Sequence, residues 1–133
     1  MKKYIIGFLF CLISVFTISA QSTQWYRASS YAFRYVEYGT WTNWSGWLSC
    51  SVNIKFDMNR DMIDIFSDKH QTYKVLYQEQ SPYDATGQQV KFRVIDQDGD
   101  YGHIRLRVED NGNSQIYVDF ANVSWVYNVI RFQ

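Results

Sequence analysis

Trp41, Trp44 and Trp47 recur at every third position, with Gly39 and Gly46 beside them. Indole faces so close together can form a stacking platform for a sugar or another flat apolar ligand. Tyr38 precedes them, and Trp25, Tyr26, Tyr31, Phe33 and Tyr35 complete an aromatic run inside 23 residues. Rings packed as a lid on one end of a small barrel would explain the same run. A spacing of three alternates faces along an extended strand, so the three indoles cannot all point inward. At least one should be exposed, and that one becomes a ligand contact. Tyr83 lies in the longest expected connection, Glu79 to Gln89, and is a further ligand-contact candidate at a barrel mouth.

A second cluster is basic. If neighbouring strands pair in the register argued below, Lys91, Arg93, His103, Arg105 and Arg107 share one polar face, with Lys91 opposite Arg105. Like charges in that position destabilise a sheet by a few tenths to about 1 kcal/mol. Asp119 is placed to reach His103, and Tyr117 to stack with Arg105. Otherwise the patch shows no acidic compensation in the sequence: a solvated face accounts for it, and an acidic protein or glycan surface is the partner expected if it binds.

Asp96, Asp98 and Asp100 alternate as in the start of a calcium loop. That likeness fails at position six, which is Tyr101, and at position twelve, which is Arg107. Turn chemistry accounts for them, and no metal site is expected. No Gly-x-Ser-x-Gly, His-Glu-x-x-His or Cys-x-x-Cys motif occurs. His70 falls in a turn, and Cys50 alternates with core positions as an inert thiol would. Neither catalysis nor a cofactor is expected. Asn43-Trp44-Ser45 and Asn122-Val123-Ser124 match the glycosylation acceptor pattern.

These side chains need a scaffold, and the chain's organisation bounds it. Lys2 and Lys3, an apolar run from Tyr4 to Ile18 and the small-residue end Ser19-Ala20 predict a signal peptide over residues 1–20. The run is shorter than the ~20 residues that cross a bilayer. Residues 21–133 then form a single exported domain, periplasmic or extracellular and not membrane-spanning. Setting Lys2 and Lys3 aside, the 13 basic residues become 11 against 13 acidic, a net charge near −2. That balance excludes non-specific nucleic-acid binding. Cys11 leaves with the leader, so Cys50 has no disulfide partner and the fold must rest on its core.

Period-two alternation dominates that domain. Leu48, Cys50, Val52, Ile54, Phe56 and Met58 fall on one face of a strand, and Ser49, Ser51, Asn53, Lys55 and Asp57 on the other. Further strands are expected near Tyr31–Tyr38, Ile63–Ser67, Thr72–Gln78, Val90–Ile95, His103–Glu109, Gln115–Phe120 and Trp125–Phe132. Parity fixes three hairpins, because paired residues share a face. A three-residue loop with Gly99 in the left-handed region pairs Phe92 with Ile104 and Val90 with Leu106. The same loop at Asp110-Asn111-Gly112 pairs Leu106 with Ile116 and Ile104 with Val118. A two-residue loop at Asn59-Arg60 pairs Phe56 with Ile63 and Ile54 with Ile65. The expected fold is all-β: an antiparallel up-and-down meander of about eight strands, either a small barrel or a strongly curved sheet. A short helical turn at Trp41–Trp47 is compatible with this pattern.

Phe92-Arg93-Val94-Ile95-Asp96, Ile116-Tyr117-Val118-Asp119-Phe120 and Trp125-Val126-Tyr127-Asn128-Val129 resemble segments of small exported β-proteins of gut Bacteroidetes. The resemblance implies a secreted, calycin-like or lipocalin-like barrel and transfers no substrate. The leading expectation is a non-enzymatic binding module with a small apolar or glycan ligand at an aromatic mouth. The alternative is a protein-interaction role, as an inhibitor or envelope scaffold component, through the basic face.

Overall fold

The computed structural model describes residues 23–79, 87–109 and 113–132. The expected leader, Tyr83 and the Asp110–Gly112 turn lie outside them. Among the described residues nine strands follow in chain order: β1 (Thr23–Glu37), β2 (Thr40–Trp41), β3 (Leu48–Asp57), β4 (Met62–Phe66), β5 (Gln71–Glu79), β6 (Gly87–Ile95), β7 (Tyr101–Glu109), β8 (Ser114–Asp119) and β9 (Val123–Arg131). Eight of them form an antiparallel meander in which each barrel strand pairs with the next. β9 also pairs with β1, from Val123 opposite Tyr35 to Arg131 opposite Tyr26, and closes the sheet into a barrel. Closure removes the free edges that an open sheet would expose. The short β2 is an extra strand on the end of β1. No helix among the described residues is long and apolar enough to cross a membrane.

The three parity arguments match the ladders. Phe92 faces Ile104, Leu106 faces Ile116, and Phe56 faces Ile63. Gly99 has φ 89°, and the Asp96 carboxylate accepts hydrogen bonds from the amides of Asp98 and Asp100, each at 2.9 Å. That carboxylate braces the turn, as the turn reading of the aspartates requires. The β3–β4 connection is wider than expected, spanning residues 58–61 between the last paired residues, with Asp61 at φ 53°.

Inward positions of all eight barrel strands supply the core. Ile54, Ile63, Ile65, Val94, Ile104, Ile116 and Val118 are fully enclosed. An eight-stranded barrel is just narrow enough for side chains to fill. Gly102 is dictated by this packing: a Cβ there would come within 2.8 Å of the Phe120 ring and 2.6 Å of the Asp119 carbonyl oxygen. The inner face of β3 departs from the expected stripe at its start. Val52, Ile54 and Phe56 are buried and Cys50 is half-buried, but Leu48 is exposed. The β1–β3 register shifts between Ala28 and Ser30, and a bulge breaks strict alternation there. Asp57, expected outside, is buried, with Lys55 at 3.9 Å and Arg60 at 3.6 Å as partners.

β1 is longer than its expected Tyr31–Tyr38 span. Its first half carries Ala28 and two serines, whose small side chains mask the alternation. Its register against β9 also shifts, between Asn128 and Val129. The bulge at Ser29 resets parity, so Tyr26 and Ala28 point inward before it and Tyr31 after it. Beyond the bulge Ala32, Arg34 and Val36 occupy the outward positions.

Candidate functional site

The 38–47 segment adopts no helical turn. It is a hairpin laid back along β1. Tyr38 and Gly39 both have positive φ, 53° and 77°, as a two-residue type I′ turn requires. Trp41 then pairs with Val36. Further on, side chains take over the ladder. The Thr42 amide donates to the Tyr35 carbonyl at 2.8 Å, and the Tyr35 amide donates to Thr42 Oγ1 at 3.1 Å. Ser45 repeats the exchange with Phe33, at 2.8 and 3.0 Å. Two hydroxyls thus satisfy backbone donors that β3, which begins at Leu48, does not reach.

This hairpin puts the tryptophans on the outer wall, where sequence spacing had suggested the mouth. Trp41 and Trp44 each lie with their ring centroid 4.7 Å from Arg34 Cζ. Trp44 also meets Tyr117 edge-on at 6.4 Å. Ala32 and Val126 point outward by register and are nevertheless buried, on the side where Trp44 and Tyr117 meet. Trp47 and Tyr38 are exposed, Tyr38 almost completely.

Beside Trp41 runs a groove of about 330 Å³, lined by Arg34, Lys91, His103, Arg105 and Asp119 among others. Two signals far apart in sequence, aromatic and basic, therefore meet on one surface. The basic patch is compensated, contrary to the sequence expectation. Glu79 lies 3.0 Å from His103 Nε2 and 3.8 Å from Lys91 Nζ. Arg105 Nε donates to Asp119 at 2.7 Å, and its guanidinium sits 4.1 Å over Tyr117. Arg107 pairs with Glu109, and Arg93 lies over Tyr101. Glu79 was hidden because it seemed to begin a loop; β5 carries it far enough to face β6. Asp119 sits opposite His103 as expected but engages Arg105 and Ser124 instead.

The mouth of the barrel is a separate cleft of about 540 Å³. Tyr31, Phe33, Trp125 and Tyr127 wall it, and Cys50, Ser67 and Gln71 add polar groups to the lining. None of Tyr38, Trp41, Trp44 and Trp47, the aromatic residues expected at the mouth, lines it. Trp125 Nε1 donates to Tyr127 Oη at 3.1 Å, Tyr73 Oη donates to Gln71 at 2.6 Å, and Gln71 donates to Ser67 at 3.0 Å. Burial pushes the Tyr127 hydroxyl up, against the pull of hydrogen bonds from Gln71 and Trp125. Burial also raises the Cys50 thiol, which keeps it protonated and unreactive at neutral pH. Sequence reasoning could have found Trp125 and Tyr127 by carrying inward parity to the end of β9. It could not have found Phe33, whose face depends on the bulge.

No family model, curated protein or solved structure matches this chain.

Proposed function

We infer that this chain is a non-enzymatic exported binding module that holds a small ligand with an apolar or sugar ring in the mouth of its barrel. One observation carries the reading. The mouth cleft, at about 540 Å³, falls in the range of roughly 300–1,000 Å³ typical of small-molecule sites. Its aromatic walls suit a flat ring, and the Gln71–Ser67 relay offers orienting polar groups. The outer wall supports a module that works in water. Lys55, Asp64, Arg93, Arg105 and Asp119 lie on it by register, and charges on that side are costly in a lipid-facing barrel.

The alternative, a protein contact through Lys91, Arg93, His103, Arg105 and Arg107, draws less support, because Glu79, Asp119 and Glu109 occupy most of those cations. Titration of tryptophan fluorescence with a panel of glycans and apolar ligands tests the mouth. A saturable response that Phe33→Ala weakens, with little loss of stability, supports the reading. A response unchanged by Phe33→Ala and by Trp125→Phe would exclude the cleft as its source.

A further inference from the structure

Arg34 stands apart from Lys91, His103, Arg105 and Arg107 on the outer wall, each of which faces a carboxylate. Among the described residues no carboxylate lies within ion-pair distance of it, and its side chain makes no hydrogen bond. Its Nε is buried without a partner, whereas its terminal nitrogens are not sealed in this way. The residue lines the groove beside Trp41. Two indoles, at 4.7 Å each, hold the guanidinium in place. A guanidinium held over aromatic rings keeps its in-plane N–H fork for another partner, and that fork matches a planar carboxylate.

The surroundings narrow the charge and shape of that partner. Lys91 and Arg105 add positive charge, but Glu79 and Asp119 offset much of it. The remaining excess suits a single negative charge better than a phosphate dianion. Trp41 is 38% exposed and shares the groove with Arg34. Its indole can take the C–H face of a pyranose whose carboxylate meets the guanidinium.

We propose that the outer groove is a second binding site, distinct from the mouth, for the carboxylate-bearing ring of an acidic saccharide. Arg34 binds the carboxylate, Trp41 stacks on the ring, and Lys91 adds electrostatic attraction at the far side. Ser124, directly opposite Arg34 in the β1–β9 ladder, donates a 2.6 Å hydrogen bond to Asp119, which in turn engages Arg105.

Nuclear magnetic resonance titration of the folded protein tests this, with trigalacturonate, neutral maltotriose and sodium sulfate as probes. The expected result is a saturable shift of the Trp41 and Trp44 indole N–H signals with trigalacturonate alone. Arg34→Lys should weaken that binding roughly tenfold or more, because a lysine ammonium offers no bidentate fork. Lys55→Ala, on the outer wall beside Trp25, should leave it unchanged. Phe33→Ala should also leave it unchanged, which separates this site from the mouth. If Arg34→Lys does not fold, Lys91→Gln serves instead, with a two- to threefold loss and a weaker dependence on salt. No saturable shift, an equal response to sulfate or maltotriose, or full binding by both groove variants would overturn the proposal.

Discussion

The mouth cleft and the outer groove are both aromatic, yet they are built in opposite ways. The mouth is made of barrel strands. Tyr127 and Tyr31 face each other across the β1–β9 ladder, and their ring centroids lie 6.4 Å apart. Tyr127 is also part of the core. The groove also has a floor of barrel strands, but its Trp41 wall sits on a hairpin and coil segment fastened to β1 by Thr42 and Ser45. Its tryptophans lie outside the core cluster. Tyr31, Trp125 and Tyr127 in the mouth are therefore tied to global stability, whereas Phe33 and the groove's Trp41, outside the core cluster, can change while the barrel stays intact.

Truncating the mouth should break the molecule first. Tyr127→Ala removes a ring that is 4% exposed and should cost about 3–5 kcal/mol, as large aromatic-to-alanine changes in cores do. Chemical denaturation measures it directly. A loss below about 1 kcal/mol would mean that the mouth is as independent of the barrel as the groove is.

High pH should attack the same interior. Burial pushes the Tyr26 hydroxyl from 10.0 up to about 12, and it raises Tyr73 and Tyr127 as well. The unfolded chain then ionises before the folded one. The stability these tyrosines contribute is fully present below pH 10 and is lost as pH rises toward 12. For Tyr26 alone the loss is on the order of 2 kcal/mol. Melting temperature followed from pH 8 to 12 should fall steeply above 10. A flat profile would refute tight enclosure of these hydroxyls.

The groove should yield more gently. Ser45→Ala deletes the acceptor for the Phe33 amide and should cost about 1 kcal/mol. The damage should stay local: faster hydrogen exchange at Phe33 and Tyr35 and altered tryptophan emission, with exchange in β7 and β8 unaffected. Exchange that rises evenly across the barrel would erase the contrast between the two regions. Smallest of all, Lys91→Ala should change stability by less than about 1 kcal/mol, since its pair with Glu79 is partly exposed. Melts at low and high salt should show even that difference shrinking.

The sequence was informative where the ladder is regular. Parity placed Phe92 against Ile104 and Leu106 against Ile116 because nothing interrupts alternation between β6 and β8. It failed at Ser29. A bulge inserts one residue without leaving a period-two trace, and it reverses the faces of Tyr31, Phe33 and Arg34. The tryptophans were misplaced for another reason: the Tyr38–Gly39 turn folds Trp41 back along the outer wall beside Arg34. The same limit applies to Glu79, whose role depends on strands 12 and 24 residues away from it.

The closing ladder between β1 and β9 has a consequence for how the chain reaches this state. Asn128 Nδ2 donates to Ser30 Oγ at 3.0 Å, across 98 residues of sequence. Every other barrel ladder joins strands adjacent in the chain and can zip as soon as its hairpin forms. The β1–β9 seam must wait for the last strand to emerge from synthesis. Until then one edge of β1 is bare, and its aromatic residues are open to pairing with another copy. Seam formation should be the slow, concentration-sensitive step of folding.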